Sequence, residues 1–271
     1  MAADLPPTTQ QRTPPRAEQK WPDVIWIVRH GQSAGNVARQ AAEAAAHPLI
    51  DIAWRDMDTP LSPLGEQQAS ALGRWFAQMS PDGKPTVILC SPYVRARETA
   101  RIVADIAGID CNAVPCQNDE RLREKEFGLL DRLTKFGIEQ KFPELAEQRA
   151  HVGKFYFRPP GGESWCDVIL RLRSMLDTIT REYRRERLLI VGHQVIVNCY
   201  RYLLERMDEA GILEVDRLAD VPNCSVTSYE FDPSAGRNGK LVRKLVNFTA
   251  PLEEAGAPIT AEPDVPAAPK S

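Results

Sequence analysis

The stretch that decides the fold is residues 24–36, which read Val-Ile-Trp-Ile-Val-Arg-His-Gly-Gln-Ser-Ala-Gly-Asn. The first five residues are all β-branched or aromatic, which predicts a buried strand. Arg29, His30 and Gly31 end this run, and the small polar residues after them suit the start of a helix. Because ligands of open α/β sheets bind beyond the carboxyl ends of the strands, we expect Arg29 and His30 at such an edge. A lone histidine there can equally be a packing or capping residue.

The composition sets the class of protein. With 271 residues, of which 43% are apolar, the chain can bury a full core, and we expect one domain. Lysine and arginine number 34 against 37 aspartates and glutamates, a net charge of −3, which argues against nonspecific binding to nucleic acid or membranes. No segment approaches the ~20 consecutive apolar residues of a membrane span, and residues 1–20 lack the apolar core of a signal peptide. We therefore expect a soluble, cytoplasmic protein.

The cysteines and histidines do not form a metal-binding pattern. The six cysteines are scattered, without a Cys-x-x-Cys pair and without metal-ligand spacing to any of the four histidines. We predict that the cysteines are buried thiols and that the protein holds no metal and no cofactor.

The two ends of the chain differ from the middle. Residues 1–20 are rich in proline, glutamine, threonine and charge, and residues 250–271 are dominated by alanine, proline and glutamate. Such segments cannot bury enough apolar surface to offset the entropy lost on folding. We predict two disordered tails and a folded domain over residues 21–249, without an internal repeat or linker.

Apolar strand-like runs alternate with helical patterns along this domain. Ser62 and Pro63 are a typical cap and first residue of a helix. Residues 118–160 are charged and helical only in short pieces, so we expect them to form an excursion that covers the site. The remaining predicted strands are 86–90, 114–116, 187–191, 225–231 and 241–248. This alternation predicts an α/β fold with three layers, α/β/α, around a mostly parallel sheet.

Three of these strands end in polar groups, which should meet at one edge of the sheet: Arg29 and His30, then Ser91 and Arg95, then His193. Cations crowded together need an anion, and a phosphoryl group matches the forked donors of arginine. Neighbouring guanidinium groups also disfavour the imidazolium form, so a histidine nitrogen can attack phosphorus without a metal. The leaving group then needs a proton, and three nearby carboxylates are candidates: Glu120, Glu124 and Glu126.

Five motifs in this order resemble the histidine phosphatase superfamily, which includes phosphoglycerate mutase and the fructose-2,6-bisphosphatases. They are Arg29-His-Gly-Gln-Ser33 with Asn36, Leu61-Ser-Pro-Leu-Gly65 with Gln68-Ala69, Ser91-Pro-Tyr-Val-Arg-Ala-Arg-Glu-Thr-Ala100, Leu122-Arg-Glu124 before Gly128, and Gly192-His193. The resemblance covers about residues 24–205. It implies a phosphoglycerate mutase-like fold and makes His30 a catalytic residue.

The resemblance also implies a role for each matching residue. His30 would be the nucleophile that forms a phosphohistidine, and Arg29, Arg95 and His193 would hold the phosphoryl oxygens. Asn36 matches a residue that contacts the phosphate. Glu124, by its place in the Leu-x-Glu motif, would protonate the leaving group and later activate water.

The choice of branch is less direct. The segment Phe155-Tyr-Phe-Arg-Pro-Pro-Gly-Gly-Glu-Ser164 and the pair His193-Gln194 resemble the bisphosphatase and acid phosphatase branches, which makes Arg158 and Gln194 candidate substrate-binding residues. Gly161 and Asn198 depart from that branch, which has a lysine and an arginine there. The adjacent arginine pair of the mutases is also missing, since Arg149 stands alone.

These features favour a phosphomonoester hydrolase that acts on a small phosphorylated metabolite. Three alternatives stay open: a fructose-2,6-bisphosphatase-like sugar bisphosphatase, a cofactor-dependent phosphoglycerate mutase, and a pseudophosphatase that only binds a phosphorylated ligand. The sequence does not predict an oligomeric state.

Overall fold

The computed structural model describes residues 19–262 of the 271. Of the predicted tails over 1–20 and 250–271, residues 1–18 and 263–271 lie outside the described residues. The domain is built on a six-stranded sheet with the order β3-β2-β4-β1-β5-β6. Its strands are β1 Val24–Arg29, β2 Val87–Cys90, β3 Cys116–Asn118, β4 Arg187–Gly192, β5 Val226–Asp232 and β6 Lys240–Phe248.

The neighbouring strands β3, β2, β4 and β1 are parallel to one another. The two remaining pairings, β1 with β5 and β5 with β6, are antiparallel. Strand β4 pairs in parallel with both β1 and β2, and β3 pairs in parallel with β2. Strand β5 runs antiparallel to β1 and β6 runs antiparallel to β5. The prediction of a mostly parallel sheet is therefore confirmed, and the carboxyl ends of β1, β2 and β4 meet at one edge.

Helices cover both faces of the sheet within the described part of the chain. They are α1 Ala34–Ala44, α2 Pro63–Ala77, α3 Val94–Ala107, α4 Lys135–Lys141, α5 Pro143–Val152, α6 Trp165–Glu182, α7 Gln194–Leu204, α8 Glu209–Leu218 and α9 Ala250–Glu254. Ser62 caps α2 and Pro63 takes its first position, as predicted. Ser33 caps α1, and the side-chain oxygen of Asn36 accepts a hydrogen bond from the Ser33 backbone N–H. These caps fix where the helices begin beside the sheet edge.

Alternate residues of the strands enter two separate cores. Ile25, Ile27 and Ile190 pack with α6, α7 and α8 on one face. Trp26, Val28 and their neighbours pack with α2, α3 and α9 on the other face. Because successive strand side chains point to opposite faces, two cores of this kind require helices on both sides. The three-layer α/β/α prediction is thus confirmed.

The excursion between β3 and α6 has its own small core, formed by Leu130, Leu133, Ile138 and Phe157. It contains α4 and α5, joined at Phe142, which agrees with the prediction of short helical pieces. The third strand lies two residues later than predicted, over Cys116–Asn118. Among residues 19–262, no helix is long and apolar enough to span a membrane.

Two expectations from composition need correction. Residues 250–262 are part of the fold: α9 buries Leu252 completely against the α2–α3 side, and the segment after it runs to the sheet edge. Two apolar residues, Leu252 and Ile259, among alanine and proline carried too little periodicity to predict this. Cys111 and Cys116 form a disulfide rather than two thiols, because the turn between them brings the two residues together.

Candidate active site

The predicted catalytic loop, residues 30–33 and called the catalytic loop below, joins β1 to α1 at the carboxyl edge of the sheet. The backbone N–H of His30 donates to the Gly192 carbonyl at 2.9 Å, which continues the pairing of β1 with β4. A Cβ on Gly31 would lie 2.5 Å from the carbonyl oxygen of Gly65. This contact requires glycine at 31 and packs the loop directly on the first turn of α2.

His30 is fully buried, and its two ring nitrogens have different partners. Nδ1 lies 2.6 Å from the carbonyl oxygen of Gly31. A carbonyl oxygen only accepts, so Nδ1 carries the proton. Nε2 accepts a hydrogen bond from the Nε–H of Arg95 at 3.2 Å. The loop therefore holds the tautomer in which the Nε2 lone pair is available at the site.

Arg95 is held from two sides in the first turn of α3. Its Nη1 donates to the backbone carbonyl of Asp56 at 2.6 Å and lies 3.0 Å from the Asp56 carboxylate. The guanidinium also stacks 5.0 Å from the centre of the Tyr93 ring. These contacts fix the plane of a buried guanidinium whose Nε faces His30.

His193 follows β4 and stands immediately before α7, so it approaches His30 from the neighbouring strand. The two imidazole ring centres are 5.1 Å apart. His193 Nε2 lies 2.8 Å from the Ser91 hydroxyl, at the end of β2. Strands β1, β2 and β4 thus each contribute a side chain to one cluster, as the sequence predicts.

Tyr93 borders this cluster on the side of the excursion. Its ring centre is 5.2 Å from that of His193, and its hydroxyl donates to Glu126 at 3.0 Å. Burial, assisted by the negative charges of Asp56 and Glu126, raises the pKa of the Tyr93 hydroxyl. The phenol therefore stays protonated and acts as a donor at neutral pH.

Arg29 and Asn36 converge on a backbone oxygen of the C-terminal segment. Arg29 donates through Nη1 to the Val221 carbonyl at 2.6 Å and through Nη2 to the carbonyl oxygen of Glu262. The Asn36 amide donates to the same Glu262 oxygen at 3.3 Å. Glu262 thus offers one acceptor oxygen to the two residues that the sequence assigns to phosphate binding.

We call residues 255–262 the C-terminal strap. Two amide side chains hold it and the catalytic loop at the same time. Gln68 accepts from the Gln32 N–H at 2.8 Å and donates to the Pro258 carbonyl at 2.9 Å. Asn223 donates to the His30 carbonyl at 2.9 Å and accepts from Thr260 at 2.9 Å. The position of the strap is therefore coupled to that of His30.

The three candidate carboxylates lie in different surroundings. Glu124 is 1% exposed, and its carboxylate accepts the N–H of Lys125 at 2.7 Å. Glu120 and Glu126 are exposed at the surface. A buried carboxylate is better suited to proton transfer than a solvated one, since burial is how proteins tune such groups. Burial therefore favours Glu124 among the three.

A shallow cleft opens beside the cluster. It is lined by Asn36, Asp56 and Arg95 of the site, with Ile52 and Trp54 from the loop after α1. The cleft therefore reaches the buried Arg95. In the part of the chain that the structure describes, no cluster of three or more histidine, cysteine and acidic side chains could hold a metal ion, and metal independence stays a prediction.

A family model confirms what this geometry suggests. The description "histidine phosphatase superfamily (branch 1)" matches residues 25–242, most of the chain. The chain belongs to the histidine phosphatase superfamily. The matched residues include the ends of β1, β2 and β4, which contribute to the cluster.

Known members of the histidine phosphatase superfamily resemble the chain at moderate identity. A 6-phosphofructo-2-kinase/fructose-2,6-bisphosphatase of Caenorhabditis elegans is 28% identical over 79% of this chain, which spans 43% of that enzyme's length. A phosphoglycerate mutase-like protein of Arabidopsis thaliana is 28% identical over 79% of this chain and 75% of its own. The solved structure of Bacillus stearothermophilus YhfR has a TM-score of 0.63 and 26% identity, over 84% of this chain and 98% of its own.

The two predicted substrate-binding residues lie in different surroundings. Gln194 is buried, directly follows His193 and donates to Asp220 at 2.8 Å, and its predicted role stays a prediction. Arg158 is 63% exposed and paired with Asp167 at the start of α6. The structure does not bring Arg158 to the cluster, and its predicted role gains no support.

Three residues that shape this histidine phosphatase site are not predicted from the sequence. Asp56 orients Arg95, Asn223 holds the catalytic loop, and Glu262 contacts Arg29. All three come from irregular segments, where no periodicity marks a position. The turn-forming run around Asp56 and the Pro-Asn pair before Cys224 were the only signals, and both predict a turn rather than a site.

Proposed function

We propose that this chain is a phosphomonoester hydrolase that transfers the phosphoryl group of a small metabolite to Nε2 of His30 and then to water. The observation that carries the proposal is the hydrogen-bonded state of His30. Its proton lies on Nδ1, and its Nε2 lone pair faces a guanidinium that can instead bind a phosphoryl oxygen. This state supports nucleophilic attack on phosphorus.

In the first step, Nε2 of His30 forms a bond to phosphorus while the bond between phosphorus and the ester oxygen breaks. The electron pair of the broken bond stays on the leaving oxygen, which takes a proton from Glu124. Arg29, Arg95, His193 and Asn36 hold the phosphoryl oxygens as charge redistributes. Oriented donors of this kind typically contribute about 10²- to 10³-fold each to the rate.

In the second step, water attacks the phosphohistidine. The Glu124 carboxylate takes a proton from the water as its oxygen bonds to phosphorus and the P–N bond breaks. Inorganic phosphate leaves, and His30 recovers its lone pair on Nε2. The sum is one ester and one water converted into one alcohol and one phosphate, with Glu124 returned to its starting state.

We propose that no metal or cofactor takes part, because the cationic side chains already offset the phosphoryl charge. The partner is then a phosphorylated small molecule rather than nucleic acid or a membrane, in line with the net charge of −3. A cytoplasmic location is part of the same proposal. The Cys111–Cys116 disulfide argues against this location, since disulfides are uncommon in the cytosol.

The two enzymatic alternatives need a second anion-binding group at particular positions. At two positions where the bisphosphatase branch has cations, this chain has Gly161 and Asn198, and Asn198 is hydrogen-bonded to Asp216. Arg149 also stands without the second arginine of the mutases. Hydrolysis of a monoester requires no second anion-binding group at these positions. Interconversion of 2- and 3-phosphoglycerate without free phosphate would instead establish a mutase.

The experiment is a phosphate-release assay on purified protein in EDTA. The substrates are p-nitrophenyl phosphate and a panel of sugar and glycerate phosphates, and the variants are His30→Ala and the exposed control His151→Ala. We expect release by the wild type and the control, and none above background by His30→Ala. No release from any substrate would favour the pseudophosphatase, and a sharp loss under EDTA would exclude the metal-free mechanism.

A further inference from the structure

A buried lysine lies beside the proposed general acid. The Lys125 side chain is 8% exposed and follows Glu124 in the chain. Its ammonium lies 4.4 Å from the centre of the Phe127 ring. Within residues 19–262, no hydrogen bond or ion pair reaches this ammonium. A cation–π contact of this kind stabilises the ammonium by less than its burial costs.

The acidic side chains near Lys125 do not neutralise the charge of its ammonium. Of the two acids that act on it, Glu163 already pairs with Arg123 and Arg171. The other is Glu124, which the proposed reaction uses for proton transfer. Arg149 and Lys154 are close enough to lower the pKa of Lys125 further, and burial is the largest cause. The surroundings of Lys125 therefore contain an excess of positive charge.

Contacts of Lys154 connect the basic residues around Lys125 to α7, the helix that follows His193. Lys154 pairs with Asp216, whose carboxylate also accepts from Asn198 on α7 at 3.5 Å. Lys154 also lies 5.6 Å from the centre of the buried Trp165 ring. These contacts hold Lys154 against α6, α7 and α8.

We propose that Lys125 binds a second anionic group of the substrate, a carboxylate or a second phosphate, a few bonds from the ester oxygen. The proposal rests on the proposed phosphatase function. Glu124 protonates the ester oxygen, so a group bound by the next residue in the chain belongs to the leaving alcohol. A charge-assisted hydrogen bond to this anion supplies the partner that the ammonium lacks. Lys125, rather than Arg158, then determines specificity.

The test compares three compounds. 3-Phosphoglycerate has a carboxylate where glycerol 3-phosphate has a hydroxymethyl group. 2,3-Bisphosphoglycerate has a second phosphate and tests that alternative. Activity is measured as kcat/KM for the wild type, Lys125→Met, Lys125→Arg and the exposed control Lys135→Met. Lys125→Gln replaces Lys125→Met if the latter does not fold, as judged by circular dichroism.

We expect the wild type to prefer an acidic compound, and Lys125→Met to reduce that preference at least about tenfold, as loss of a buried charge pair does. Lys125→Arg should retain most of the preference, and Lys135→Met all of it. Loss of the carboxylate preference alone assigns a carboxylate, and loss of the bisphosphate preference alone assigns a second phosphate. An equal fall for acidic and neutral compounds would mean that Lys125 acts on Glu124 instead and would overturn the proposal.

A binding measurement separates this proposal from the proposed function. Calorimetry with the same compounds and the same variants needs no turnover. If the wild type hydrolyses p-nitrophenyl phosphate but binds acidic and neutral compounds alike, the Lys125 subsite is wrong and the phosphatase stands. If acidic compounds bind more tightly through Lys125 but nothing is hydrolysed, the subsite stands and the phosphatase fails.

Discussion

Nε of Arg95 lies 3.2 Å from Nε2 of His30, so the guanidinium donates to the nitrogen that attacks phosphorus in the proposed reaction. The contact keeps Nε2 free of its own proton, because an N–H there could not accept from Arg95. When a substrate binds, the same guanidinium can turn its donors to a phosphoryl oxygen without leaving Asp56. In the proposed reaction, one arginine thus sets the state of the nucleophile and stabilises charge in the transition state.

Arg95→Lys should lower kcat by about 10²- to 10³-fold, although the charge is retained. Lysine has no Nε–H at that position, and its ammonium cannot contact His30 and Asp56 in one plane. Steady-state kinetics with p-nitrophenyl phosphate measure the effect. The exposed neighbour Arg97→Lys serves as the control and should match the wild type. A loss of less than about tenfold in Arg95→Lys would show that the contact has no catalytic role.

Glu124→Gln should slow the release of poor leaving groups most. An alkoxide needs the proton that Glu124 donates, whereas p-nitrophenolate is stable without it. The measurement is kcat/KM for p-nitrophenyl phosphate against glycerol 3-phosphate, with the exposed Glu126→Gln as the matched control. Equal losses for both substrates, or the larger leaving-group effect in Glu126→Gln, would assign the acid elsewhere.

The cluster itself could be predicted because its residues follow strands. Arg29, Ser91 and His193 each come directly after an apolar run, and parallel strands place such positions together. The motifs then added Glu124, whose burial among three similar carboxylates no local pattern shows.

Contacts between segments distant in the chain could not be predicted. Asp56 meets Arg95 through a loop, and Glu262 meets Arg29 across 233 positions of sequence. Arg158 carried a motif but pairs with Asp167, nine positions away, because a nearby carboxylate competes for a surface guanidinium. The Lys125 ammonium has neither an ion pair nor a hydrogen bond within residues 19–262, a property of the folded surroundings that sequence does not record.

The preference for acidic substrates should fall as the pH rises through about 8. Burial, together with Arg149 and Lys154, lowers the pKa of Lys125 to about 8, while Glu124 and Glu163 oppose the shift. Below that pH the ammonium is charged and attracts the second anion, and above it the attraction is lost. The ratio of kcat/KM for 3-phosphoglycerate and glycerol 3-phosphate, measured from pH 7 to 9.5, follows this change.

Lys125→Arg is the control for this pH dependence. A guanidinium stays charged throughout the range, so the ratio should stay level in this variant. Parallel pH curves for the wild type and Lys125→Arg would show that another group causes the change.

A chain that ends at Ala257 should bind inorganic phosphate about tenfold more tightly than the full chain. The truncation removes the Glu262 carbonyl, which now accepts from Arg29 and Asn36 in competition with a phosphate oxygen. It keeps α9 and its buried Leu252. The inhibition constant of phosphate is the measurement. Glu262→Gln keeps the backbone carbonyl and should match the full chain, and weaker phosphate binding by the truncated chain would show that the strap assists the site.

The most direct test of the central claim is to trap the phosphorylated enzyme. Wild type and His30→Ala are mixed with a ³²P-labelled phosphomonoester, quenched in alkali within milliseconds, and mapped by mass spectrometry. We predict an acid-labile, alkali-stable phosphoryl group on His30 of the wild type and no label on His30→Ala. Turnover without a labelled His30, or a label on another residue in both proteins, would contradict the account.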